Sequence, residues 1–163
     1  MIEVKMAIDF LEEFQKKIEI SGIDNFFSGG KSRELISAAE EVLGNKFPES
    51  YRRFLERYGS GGVFGMEIYG IPNDDLNAKG IPNTVWLTRI AREEIGLKDD
   101  LVIVGDAGLG DYYVLNCNQE KSGELLLWNT RSQQGVKDLA SGTNFEEFLN
   151  IKLNEAIESL EEE

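Results

Sequence analysis

Carboxylates are the side chains that could do chemistry in this chain, because it has no histidine and a single cysteine. Without histidine it lacks the ordinary general base near neutral pH, the Ser/Cys–His dyad and the imidazole metal ligand. Cys117 lies in an apolar strand-like run, YYVLNC, where a buried structural thiol is expected, and it has no second cysteine for an intrachain disulfide. Glu67 could face Asp106 or Asp111 across strands as a glycosidase pair does, but spacing alone does not set two acids around a sugar-sized cleft. Asn73-Asp74-Asp75-Leu76-Asn77 gathers oxygen ligands that could meet Ca²⁺. It lacks the glycine and terminal glutamate of an EF-hand loop, so a solvated loop is expected. Gly105-Asp106-Ala107-Gly108-Leu109-Gly110 has phosphate-loop-like glycine spacing after a strand. A second strand pattern follows it instead of a helix, and Asp106 and Asp111 would repel phosphate, so it reads as a turn. These residues point away from catalysis, cofactors and metals, and toward binding.

The elements that must position them are legible in the periodicity. Val4–Ile18 reads as an amphipathic helix with Val4, Ala7, Ile8, Leu11, Phe14 and Ile18 on one side. Ser21–Lys31 reads as a connector in which Phe26 and Phe27 cap the core. A helix starts near Ser32 and uses Leu35, Ile36, Ala39, Val42 and Leu43, with Gly44 and Asn45 ending it. The next is set by Pro48 in its first turn, Tyr51, Phe54, Leu55 and Tyr58 on its apolar face, and Gly59 as its stop. From Val63 to Tyr69 the period becomes strand-like, with Phe64, Met66 and Ile68 alternating with Gly65, Glu67 and Tyr69. A turn-rich loop with Pro72 and Pro82 follows, and Thr84–Ile95 fits either a short strand or a helix. Leu101–Val104 reads as a strand buried on both faces. Tyr112–Cys117, Glu124–Trp128 and Val136–Leu139 continue an antiparallel meander. Thr143 with Glu146 forms a capping box for a last helix whose stripe is Phe145, Phe148, Leu149, Leu153, Ala156, Ile157 and Leu160. The expected class is α+β: N-terminal helices and a C-terminal helix packed around a mainly antiparallel sheet.

A length of 163 residues with 41% hydrophobic and 10% aromatic content fits one globular domain, 1–163. The formal net charge is −13, with the excess between Gly59 and Asp111 and after Thr143. Such a field repels nucleic acid and draws in basic partners; it also simply keeps a protein soluble. Glu3, Asp9, Glu12 and Glu13 interrupt any signal-peptide core, and no run approaches the ~20 apolar residues of a membrane span. With no cysteine pair, the expected compartment is the cytoplasm.

The Phe47–Gly70 stretch, FPESYRRFLERYGSGGVFGMEIYG, resembles the signature of the SUKH superfamily, the fold shared by fungal cell-wall-synthesis regulators and many bacterial toxin-immunity proteins. The matching residues are Phe47-Pro48, Tyr51, Phe54-Leu55, Tyr58-Gly59 and Gly61-Gly62. LVIVGDAGLGDYYVLNC and ELLLWN extend the resemblance over Leu35–Leu149, and the chain is most similar to YobK-type immunity proteins. The resemblance implies a sheet-centred groove bordered by loops that engages a cognate protein toxin and blocks it. Charge and chain placement then nominate Glu67, Tyr69, Asp74, Asp75, Asp106, Asp111 and Tyr112 as the rim, suited to a basic nuclease domain. Tyr51, Phe54, Tyr58, Gly61, Gly62 and Trp128 read as scaffold. A regulatory interaction scaffold and a small-ligand-binding domain are the alternatives.

Overall fold

The computed structural model describes residues 9–120 and 123–162. In chain order these form α1 (Phe10–Ser21), β1 (Asn25–Phe27), α2 (Arg33–Leu43), α3 (Glu49–Tyr58), β2 (Gly61–Val63), β3 (Met66–Ile68) and α4 (Thr84–Glu94). They continue with β4 (Leu101–Gly108), β5 (Asp111–Asn116), β6 (Leu125–Asn129), β7 (Gln134–Val136), a 3-10 turn at Leu139–Ser141 and α5 (Phe145–Glu161). The fold is α+β, with two antiparallel sheets ordered β1-β2-β3 and β4-β5-β6-β7. The Tyr69 N–H donates to the Val104 carbonyl at 2.9 Å, which lays the end of β3 against β4.

Alternation along the strands sorts the apolar residues onto two faces. Met66, Ile68, Val102, Val104, Tyr113, Leu115 and Cys117 join the main core with the stripes of α1, α2, α3 and α5. Tyr69, Leu101, Ile103, Val114 and Trp128 point the other way and pack under Leu87 and Ala91 of α4. Leu101–Val104 is therefore buried on both faces, as its unbroken apolar run required.

Helix ends follow their capping chemistry. The Ser32 hydroxyl accepts from the Leu35 N–H at 3.1 Å, and Gly44 closes α2 at φ +72°, a conformation glycine adopts without steric cost. Pro48 occupies the N-cap of α3, one residue before the expected first turn. At α5 the box is displaced by one residue: Asn144 caps the Glu147 N–H at 2.9 Å, while the Glu147 carboxylate returns to the Thr143 N–H and hydroxyl. Asparagine accepts as well as threonine does at an N-cap, so the two registers compete and Asn144 takes the role. Of the first helix, Val4, Ala7 and Ile8 lie outside the described residues, while Leu11, Phe14 and Ile18 are buried as expected.

One open alternative is resolved, and three segments differ from the sequence expectation. Thr84–Glu94 is helical because Asn83 caps it, its side-chain oxygen accepting from the Val85 N–H at 3.0 Å. Val63–Tyr69 is not one strand but a hairpin arm, reversed at Phe64-Gly65 with Gly65 at φ +88°. This reversal turns Phe64 out of the alternation and into solvent. The supposed connector contains β1, in which Phe27 packs edge-on against Phe14 and at a tilt against Tyr58 while Phe26, one residue earlier, points outward. β4 also runs on through Asp106 and Gly108 by two register shifts, so the turn is confined to Leu109-Gly110.

Candidate functional site

The face that α4 covers at one end is open at the other. On β1-β2-β3 the register aligns Phe26, Gly62 and Glu67 in one row. On β4–β7 it aligns Asp106, Tyr112, Trp128 and Gly135. Glu67 is two residues before Tyr69, so both point to the α4 side of the sheet. Trp128 is wholly buried there and Tyr112 half-buried beside it. Beyond α4, Phe26 and Glu67 are exposed.

Gly61 and Gly62 let the three short strands close up. A Cβ on Gly61 would collide with the Phe26 carbonyl, and one on Gly62 with the Met66 carbonyl. The close approach leaves a floor without side chains. Above it lies a recess of about 550 Å³ bounded by Asp24, Phe26, Phe64 and Glu67. On the other side of the hairpin a second recess of about 430 Å³ lies between Glu67, Asp106 and α5, floored by Tyr113 and Phe148.

Five of the seven residues nominated from sequence fall around this face. Glu67 and Asp106, each placed by its ladder register on the α4 side, also border the second recess on the α5 side, and the Asp106 carboxylate is oriented by accepting the Gly108 N–H at 2.7 Å. Tyr112 is opposite Asp106 in the ladder. Asp111 is at the adjoining turn, where it accepts the Thr130 N–H at 3.3 Å. Tyr69 lies beneath the surface, with only 3% of its area exposed, and its carbonyl accepts the Tyr51 hydroxyl at 2.8 Å. Burial, with Asp106, Glu67 and Tyr112 adding to it, pushes the Tyr69 phenol up to about 12, so it presents a neutral group. Asp74 and Asp75 stand apart on the loop before α4. Asp75 is committed to local turns, donating its N–H to the Asn73 side chain at 2.8 Å and accepting the Asn77 N–H at 3.0 Å.

Lys152 of α5 is the cation of the second recess. It pairs with Glu155 at 3.3 Å and lies 4.9 Å from the Tyr113 ring centroid. Burial alone would lower its pKa, but Tyr113 and Glu155 outweigh that and raise it, so the ammonium stays charged. Cys117 is buried and its thiol is pushed up to about 12 by desolvation, which leaves it protonated and unreactive at neutral pH. Phe26 and Phe64 are the site residues sequence reasoning missed. The available signal was Gly65 directly after Phe64, close behind Gly61-Gly62, which marks a turn and hence an outward side chain.

A family model, SUKH_5, described as SMI1-KNR4 cell-wall, matches residues 9–154. The chain belongs to the SUKH superfamily. In this SUKH chain the residues of the signature serve the scaffold: Tyr51, Phe54, Leu55 and Tyr58 are core, and Gly61-Gly62 make the floor of the open face. Among the described residues, no helix is long and apolar enough to cross a membrane.

Proposed function

We propose that this SUKH protein is a bacterial immunity protein, of YobK type. It binds a cognate protein toxin stoichiometrically in the cytoplasm and occludes the toxin's active site by contact, without catalysis. The observation that carries this reading is the open sheet face, on which Glu67 and Asp106 lie beside half-buried or exposed aromatic residues, with Asp111 adjoining it at the start of β5. A nuclease must hold phosphates in a cationic groove, and an acidic face of this kind is complementary to that groove. Long-range attraction speeds encounter, and desolvated aromatic contacts supply the affinity.

Co-expression with a toxin encoded beside its gene tests the proposal. The expected outcome is survival and a one-to-one complex; continued killing, or no complex between the purified proteins, overturns it. The match to the SMI1-KNR4 cell-wall family favours a second reading, a regulatory scaffold that docks on a cell-wall or signalling enzyme. That reading predicts a gene with no toxin neighbour, and a partner whose activity is modulated instead of abolished.

A further inference from the structure

The β2–β3 hairpin separates the two recesses and contributes Phe64, Gly65, Met66 and Glu67 to both. Phe64 is 69% exposed at its tip and Phe26 is 76% exposed across the glycine floor. Neither is required by the fold. The turn needs glycine only at position 65, where φ is +88°, and Phe27 already supplies the core contact of β1. Scattered exposed apolar residues are ordinary, but these two flank one recess, and the charged groups lining it, Asp24 and Glu67, are both acidic. In the second recess, which lies toward α5, Lys152 is occupied by Glu155 and Tyr113, and the remaining acidic residues lining it are Asp106 and the hairpin's own Glu67.

An aromatic face beside a carboxylate selects arginine over other side chains. The guanidinium is planar, stacks on a ring, is weakly hydrated and forks onto a carboxylate; lysine does these things less well. We propose that the β2–β3 hairpin is the docking point for an arginine-bearing loop of a basic protein. The arginine stacks on Phe64 and pairs with Glu67, and an apolar neighbour in the same loop covers Phe26 and the Gly61-Gly62 floor. The inference rests on the binding reading above and names the partner's chemistry at that site.

The test uses a random disulfide-looped peptide library displayed on phage and selected against the full chain. The selected peptides are expected to share an arginine next to an apolar residue. Their Kd should rise at least about 30-fold on the double substitution Phe26→Ser/Phe64→Ser, the effect expected of hot-spot anchors. Because both side chains are exposed, Tm should be unchanged, which separates lost contact from lost fold. Glu67→Gln should weaken binding and flatten its salt dependence. Failure to select peptides, selection without arginine, or an unaltered Kd in the double variant overturns the docking point. A neighbouring-gene toxin bound equally well by wild type and double variant also overturns it, while leaving the immunity reading intact. If the peptides behave as expected but wild type binds no such toxin, immunity fails and the docking point stands.

Discussion

At the scale of residues, the open face is held by tyrosines that must stay protonated. Burial, and secondarily Asp106, Glu67 and Tyr112, raises the Tyr69 phenol to about 12 from an ordinary 10. A folded-state pKa above the unfolded one favours the native state fully below pH 10, and that contribution is lost as pH rises from 10 toward 12. Tyr51 adds to the same alkaline instability, since burial also raises its phenol. Tyr69→Phe should therefore unfold less steeply across that window than wild type, as followed by far-UV circular dichroism against pH; an identical alkaline limb would mean Tyr69 is not desolvated. Leu109 is a second isolated case. It is 98% exposed and sits at φ +56°, in the left-handed region that costs a side-chain-bearing residue about 1 kcal/mol relative to glycine. Leu109→Gly relieves that strain while raising unfolded-chain entropy, so a stability gain of at most about 0.5–1 kcal/mol is expected in urea melts. A clear loss would show that the leucine has packing the turn needs.

At the scale of elements, one side chain fixes the junction between loop and helix. Asn83 is buried; its oxygen caps Val85 and Trp86, and its amide nitrogen donates to the Leu76 and Ala78 carbonyls. Asn83→Ala removes a cap worth about 1 kcal/mol and also leaves two half-buried carbonyls without a donor, so a total loss of about 1–3 kcal/mol is expected. Asn144→Ala at α5 removes an exposed cap alone and should cost about 1 kcal/mol in the same denaturant titration. Helices with a clear apolar stripe, such as α2, α3 and α5, were legible in the sequence because burial on one face imposes the 3.6 period. α4 was ambiguous because its polar Thr84 and Thr88 are buried: the Thr84 hydroxyl donates to the Ile103 carbonyl, and the Thr88 hydroxyl accepts the Ile103 N–H at 3.1 Å. β1 was not legible. A strand three residues long offers one alternation, and Phe26 and Phe27 look identical until tertiary pairing sends them to opposite faces. The same limit applied to the site. Glu67 and Tyr112 lie among apolar residues whose alternation gives their face, whereas Asp106 was read into a turn and takes its face from the register shifts of β4. Asp74 and Asp75 lie in a loop whose course depends on Asn83, which charge counting does not see.

At the scale of the whole molecule, the question is whether a formal charge of −13 acts as a diffuse field or as a placed one. The placement of the acidic pairs offers a matched comparison. Glu67→Gln/Asp106→Asn and Asp74→Asn/Asp75→Asn each remove two negative charges, so both variants have the same net charge. The first pair lines the recess beside the hairpin, and the second lies on the loop before α4. Asparagine at 106 can still accept the Gly108 N–H, which keeps β4 in register. If only the overall field matters, both variants should slow association with the toxin equally, and salt should erase the loss equally. If charge acts where the partner docks, the first pair should slow association by roughly three- to tenfold at low salt and also speed dissociation, since a desolvated carboxylate–guanidinium contact is lost. The second pair should then change the association rate alone, and by less. Stopped-flow association at two ionic strengths with surface-immobilised dissociation would separate the cases, and equal behaviour of the two variants would remove the hairpin from the interface.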